Sequence, residues 1–307
     1  MRGVWTGVGL AGLIAAGLIG VATAAEVKTI NPKSFYPEGP LWHGGRLLYV
    51  EYSGHTVMAW DGKENKQLWK QDGCGPAALA ALDDGSLVIS CYDQNTLVRL
   101  ADKGDRVETV ETIDKDAGGQ PFLGPNDFAR DGKGGLYFSA SGVFDTTKPI
   151  QGKIYYRASD GAIRMVADDL HYSNGLAVSP DGGTLYASEH LAGRVLSFKV
   201  GADGSLSERT VLARLKDIAP DPAAADAYTG PDGLKLGPDG NLYICQYGGS
   251  RVLVTGTDGK LVRTIDVPGA YVTNVNFGAT PDTVYITAAT DAWTAPYPGE
   301  VYEAENR

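Results

Sequence analysis

Four side chains with hard oxygen donors stand in four short, turn-rich contexts: Glu38 in PEGPLW, Asn126 in GPNDF, Asn174 in SNGLAVSPDG and Asp232 in GPDGLKLGPDGNLY. Two carboxylates and two carboxamides suit a hard divalent cation, Ca²⁺ above all, which takes about six to eight oxygen ligands and leaves positions for water or a bound molecule. Mg²⁺, Mn²⁺ or Zn²⁺ are substitutes, zinc the least apt because neither His nor Cys belongs to the set. Taken singly, each context is a turn former before it is a ligand site. Their shared register argues otherwise, because each lies about ten residues before the first apolar residue of a strand rich in Tyr and β-branched residues.

That register belongs to a repeat. An alternating apolar segment, a Gly/Asp turn and a second strand recur as PLWHGGRLLYVEY from Pro40, LAALDDGSLVISCY from Leu79 and FARDGKGGLYFSA from Phe128. They return as LAVSPDGGTLYASEH from Leu176, LKLGPDGNLYICQY from Leu234 and VNFGATPDTVYITAA from Val275. The six copies lie roughly 40 to 57 residues apart, room for four short strands each. Asp-Gly and Gly-Gly pairs mark hairpin turns, and segments such as HTVMAWDGK, GKIYYRASDG and SRVLVTGTDGK supply the outer strands. The reading is an all-β chain, a six-bladed β-propeller with four-stranded blades. An open ring would expose two sheet edges, so a strand near Val27 to Ile30 is expected to complete the last blade beside GEVYEAE. Helical periodicity is nearly absent, with one short turn expected from Pro222 to Asp226.

In a propeller the innermost strands line a central channel, so the residues at their starts form a ring at one mouth. The equivalent positions are Glu38, Ala77, Asn126, Asn174, Asp232 and Asn274. The second strands end near Tyr52, Tyr92, His190 and Tyr247, which are placed to line a pocket at that mouth; packing between loops is the competing role for these aromatics. The longer loops from Gly142 to Gly152 and from Asp291 to Gly299, the latter with Trp293 and Tyr297, are expected to rise over it. Asp127 alternates to the other side of its strand and is read as a supporting or turn group.

Residues 1–25 combine Arg2, an apolar run from Val8 to Val21 and Ala22-Thr23-Ala24, the pattern of a cleaved signal peptide. A single domain, residues 26–307, then follows in the periplasm or outside the cell, with no membrane association beyond the signal segment. A net charge of −10 without a basic cluster argues against nucleic acid as a partner. Three cysteines allow at most one bridge. Cys74 and Cys91 fall near one another in the second repeat, and a Cα separation beyond roughly 7 Å would exclude a bond between them. The chain has no G-x-S-x-G, H-E-x-x-H or P-loop motif, and His43, His55, His171 and His190 are scattered.

The four oxygen-donor motifs, in this order, resemble those of the regucalcin, gluconolactonase and luciferin-regenerating-enzyme superfamily of six-bladed calcium-dependent lactonases, over essentially all of residues 26–307. The resemblance implies hydrolysis of a sugar lactone or related small cyclic ester, with Glu38, Asn126, Asn174 and Asp232 on the metal. A metal-bound carbonyl is polarised, and a carboxylate, Asp232 first and Glu38 second, takes the proton of the attacking water. Asn274 is expected to contact substrate or water. Two departures bear on specificity: Gly124 stands where sugar-lactone enzymes of the family often carry Arg, and Ala140, Ser141 and Gly142 replace an acidic or aromatic pair of many bacterial members. The competing reading is a non-catalytic propeller whose metal holds a surface for a glycan or protein partner. Oligomeric state is not legible.

Overall fold

A computed structural model describes residue 3, residues 26–220 and residues 227–307. The expected signal peptide and the turn at Pro222 to Asp226 therefore lie outside the described residues. After β1 (Val27–Phe35), four-stranded meanders follow: β2 (Pro37–His43) to β5 (Asn65–Lys70) through β3 (Arg46–Glu51) and β4 (Thr56–Trp60), then β6 (Pro76–Ala81), β7 (Leu87–Cys91), β8 (Thr96–Asp102) and β9 (Val107–Ile113). The third comprises β10 (Pro125–Arg130), β11 (Leu136–Ala140), β12 (Gly152–Arg157) and β13 (Ile163–Leu170). The fourth comprises β14 (Ser173–Val178), β15 (Thr184–Glu189), β16 (Arg194–Val200) and β17 (Leu206–Arg214), and is followed by a one-turn helix, α1 (Leu215–Ile218). Next come β18 (Gly230–Leu236), β19 (Leu242–Tyr247), β20 (Arg251–Thr255) and β21 (Leu261–Asp266), and finally β22 (Tyr271–Phe277), β23 (Thr283–Ala289) and β24 (Pro298–Glu305).

The fold is all-β and propeller-like, built of four-stranded blades. Four sheets are separate, and β1 with the last seven strands, β18 to β24, forms one sheet, in which β19 meets β22 through the single pair Tyr247 and Tyr271. β1 pairs antiparallel with β24, Val27 opposite Ala304, as the edge argument requires. The innermost strands β2, β6, β10, β14, β18 and β22 touch their neighbours in closed cyclic order. Apolar side chains fill the gaps between successive sheets: Val50, Val57, Leu79 and Ile89 in one, and Leu47 and Tyr49 against Tyr285 and Val301 where the first sheet meets the last.

The local chemistry explains the hairpins. At turn after turn an Asp carboxylate accepts the backbone N–H two residues on, as Asp131 does from Lys133 at 2.7 Å and Asp181 from Gly183 at 2.9 Å. Gly182 and Gly240 follow such aspartates with φ of +70° and +79°, a conformation that costs other residues a Cβ clash.

Each innermost strand departs from its ladder at the same place, between Glu38 and Leu41, Pro76 and Ala78, Pro125 and Phe128, Ser173 and Leu176, Pro231 and Leu234, and Val272 and Asn274. A bulge frees backbone groups and re-aims side chains. Hydroxyls of the neighbouring strand take up two of the freed donors: Ala78 N–H donates to Ser90 Oγ at 2.9 Å and Asp127 N–H to Ser139 Oγ at 3.0 Å. Below the bulge, Lys235 of β18 reaches Asp127 of β10 at 2.7 Å, while Leu176 and Phe128 also donate their N–H groups to that carboxylate. Asp127 thus joins three of the inner strands, the supporting role expected of it. Replacing Lys235 by Ala leaves Asp127 buried and without its cation, so denaturant unfolding should show a loss of about 3 kcal/mol, the scale of breaking a buried ion pair from one side; a loss under about 1 kcal/mol would mean the pair is dispensable.

Candidate functional site

The bulges set the site. Glu38, Asn126, Asn174 and Asp232 come to the floor of one cavity of about 600 Å³, and each is at least nine-tenths buried. Ala77 lines the same cavity from β6 and contributes no donor. Asn174 Nδ2 donates to Asp232 Oδ1, which leaves the Asn174 carbonyl oxygen uncommitted by that bond. Glu38 Oε2 accepts the N–H of Gly39 at 3.1 Å.

The two carboxylates are electrostatically uncomfortable. Burial, and then the charge of Asp232, push the Glu38 carboxyl well above its usual range. Burial likewise raises Asp232. Among the described residues, the ion-pairing neighbour of Asp232 is His190, whose Nδ1 lies 3.9 Å from Oδ1. His190 Nε2 lies 2.8 Å from the Tyr228 carbonyl oxygen, which can only accept, so Nε2 is the donor there, while Nδ1 is buried without a hydrogen-bond partner. No cluster of three His, Cys, Asp or Glu side chains occurs among the described residues. The donor set is instead two carboxylates with two carboxamides, all oxygen, buried together with no Lys or Arg lining the cavity among the described residues. That composition fits a hard divalent cation.

The wall is aromatic. Tyr52, Tyr92, His190, Tyr247 and Trp293 line the cavity, where their positions in the repeat place them. Tyr36, Phe144 and Tyr172 line it as well: Tyr36 and Tyr172 stand two residues before Glu38 and Asn174, a shared place in the repeat that counting along the second strands did not sample, and Phe144 belongs to a loop. Phe144 comes from the long loop after β11, and its ring lies 4.8 Å from that of Tyr172 and 5.2 Å from that of His190. The loop after β23 crosses the mouth toward the first sheet: Tyr36 N–H donates to Tyr297 O at 2.8 Å and Ser53 Oγ to Pro296 O at 2.8 Å. Both loops thus stand at the mouth where their lengths suggested.

Asn274 is the departure. It does not line the cavity, but is 1 % exposed and accepts the N–H of Val275 at 2.9 Å, just as Asp127 accepts that of Phe128. The bulge of β22 opens after Val272 as that of β10 opens after Pro125, so Thr273 holds the ring position and Asn274 that of Asp127, one level below, where its amide lies against Glu38. A contact with substrate is replaced by support of a carboxylate. Cys74 and Cys91 are joined, with a Cα separation of 4.6 Å, while Cys245 is free and buried.

The family described as the SMP-30/Gluconolactonase/LRE-like region matches residues 36–290. The chain belongs to that family. The lactonase drp35 of Staphylococcus saprophyticus is 30 % identical over 238 residues, 73 % of this chain and 67 % of its own. Among solved structures, a gluconolactonase of Xanthomonas campestris superposes with a TM-score of 0.73 at 22 % identity, covering 92 % of this chain and 89 % of its own. A calcium-binding protein, regucalcin, of Agrobacterium tumefaciens does so with a TM-score of 0.69 at 18 % identity, covering 90 % and 92 %. At these identities the two structures bear on the fold, and they share it.

The electrostatics of the site give a stability test. In cation-free buffer, Glu38→Gln removes one of two adjoining buried carboxylates while keeping an oxygen for the N–H of Gly39. Its thermal midpoint should lie a few degrees above that of the native chain, about 2–4 °C per kcal/mol at this size. A lower midpoint would show that the repulsion is not felt.

Proposed function

We propose that this chain is a Ca²⁺-dependent hydrolase that opens a lactone or related small cyclic ester. The observation that carries the reading is the convergence of Glu38, Asn126, Asn174 and Asp232 on the floor of an aromatic cavity, in a member of a family whose relatives include named lactonases. Calcium is chosen because the donors are all oxygen and because a protein of the same fold is described as calcium-binding. The architecture is read as six blades: β18 to β21 form one and β22, β23, β24 and β1 another, their ladders joined at one residue pair. Export fits the Cys74–Cys91 bridge, since disulfides persist in oxidising compartments, so residues 1–25 are assigned to a cleaved signal and 26–307 to the propeller.

A cation held by the four side chains supplies Lewis acidity toward the ester carbonyl oxygen. The remaining work falls to the protein. Asp232, whose basicity burial has raised, takes the proton of the attacking water, and the Asn174 amide on its Oδ1 fixes its orientation. Glu38 balances charge and is the second candidate for the base. The aromatic wall and the two mouth loops hold the substrate over the floor and keep bulk water away, which strengthens every electrostatic interaction there.

Dialysis against a chelator should abolish lactone hydrolysis and lower the melting temperature, with Ca²⁺ restoring both; hydrolysis unchanged in metal-free protein sinks the mechanism. Two substitutions divide base from ligand. Asp232→Asn should retain part of the cation affinity, read by calorimetry, yet lose about 10²- to 10⁴-fold in kcat. Asn126→Ala should act through occupancy and recover in excess Ca²⁺. Full turnover by Asp232→Asn at saturating Ca²⁺ would transfer the role of base to Glu38.

A further inference from the structure

The cavity wall says more than that a small ester fits. Around the floor stand the rings of Tyr36, Tyr52, Tyr92, Phe144, Tyr172 and Tyr247. Several tyrosine hydroxyls have spent their protons on the protein: Tyr36 on Tyr247 at 3.2 Å, Tyr52 on Asp93 at 2.8 Å and Tyr92 on the Gly142 carbonyl at 2.6 Å. Trp293, at the mouth, donates its indole N–H to Tyr271 at 3.0 Å. Tyr36, Tyr52 and Tyr92 therefore offer the cavity ring faces and edges rather than donors.

Charge selects further. No Lys or Arg lines the cavity among the described residues, whereas Glu38, Asp93 and Asp232 do. Gly124, at the head of the second ring motif, shows how the space was allotted: it adopts φ +60°, and a Cβ there would come within 2.7 Å of the Tyr92 ring. A side chain of any size, a basic one included, is excluded at that point in favour of the ring. A molecule carrying several hydroxyls would surrender water hydrogen bonds against the ring faces of the wall, and one carrying a carboxylate or phosphate would find Asp93 and, among the described residues, no Lys or Arg on that wall. An apolar ring or alkyl arm loses nothing polar and gains contact with the faces.

We propose that the site takes an uncharged lactone or ester with an apolar ring or alkyl arm in preference to a polyhydroxylated or anionic one. The reaction named rests on the hydrolase reading; the class of molecule rests on the wall alone. Phe144 is its central determinant, since it is wholly apolar and packs among Tyr172, His190 and Tyr228 beside the floor.

The test pairs turnover with binding on the Ca²⁺-loaded protein. An aryl-fused δ-lactone, an alkyl-substituted γ-lactone, an aldonolactone and a carboxylate-bearing lactone are assayed for kcat/KM, and the lactam counterparts, which resist opening, are titrated by calorimetry. The first two should exceed the last two by about ten-fold or more in both measurements, the discrimination a shaped apolar pocket supplies. Phe144→Ala should narrow that gap mainly through KM, while Tyr92→Phe, which keeps the ring and loses the hydroxyl that bonds Gly142, should preserve it. Equal or reversed order in binding overturns the inference, as does a failure of both apolar lactams to bind. Lactams bound in the expected order with no lactone opened would sink the hydrolase reading and leave the substrate class standing; brisk opening of the aldonolactone alone would do the opposite.

Discussion

The pairing of the first strand with the last is the contact on which the remainder of the molecule depends. β1 adds to β24 across nearly the whole chain, Val27 opposite Ala304 and Phe35 opposite Pro298. Without it, β24 would be an exposed edge, and the first sheet would lack a neighbour on one side. β1 is also tied to that first sheet: Asn31 donates to Tyr49 Oη at 2.8 Å, Tyr49 to Asn65 at 2.8 Å, and Asn65 to the Ile30 carbonyl at 2.9 Å. Closing so long a loop costs entropy that grows only slowly with length. Once closed, the ring presses the six innermost strands into cyclic contact.

Cyclic contact explains the bulges. Strands that all start at one axis crowd each other, and the glycines near the ring mark the closest approaches: a Cβ on Gly39 would strike Ala78, and one on Gly233 would strike Asn274. Leaving the ladder for one residue lets each strand turn its ring side chain toward the axis, at the expense of backbone bonds that Ser90 and Ser139 partly replace. The same crowding brings Glu38 and Asp232 together out of water. Two neighbouring buried carboxylates are costly unless paired, and below them the chain shows what pairing looks like, since Asp127 has Lys235 at 2.7 Å. The upper pair has no such lysine. Stability is conceded there in a way that makes sense if the compensating charge comes from outside the chain.

Above that floor, the wall joins repeat positions, Tyr52, Tyr92, His190 and Tyr247 among them, to residues of the connections. Phe144, Tyr172, Tyr36 and Trp293 arrive from connections of different lengths, and their rings pack on one another rather than on a repeated template. A framework fixed by repetition thus carries a cavity fixed by its loops, an arrangement in which reaction and substrate choice are separable.

The division between sequence and tertiary structure follows the same line. Alternating apolar residues, Asp-Gly turns and the recurring strand motif were enough to read four-stranded blades, the closing role of the segment near Val27, and the shared level of Glu38, Asn126, Asn174 and Asp232, because periodicity and turn chemistry act over a few residues and repeat. Counting along the chain failed at Asn274, since Val275 pairs with Ile286, one residue farther along than Phe128 is from its partner Phe138, and counting back across that longer hairpin lands one level below the ring. It was equally blind to Phe144 and Tyr172, and it left the Cys74–Cys91 bridge open. Those were decided by how loops from separate blades meet over one mouth and by the 4.6 Å approach of two Cα atoms, distances that packing of the whole ring sets and that spacing in the sequence does not encode.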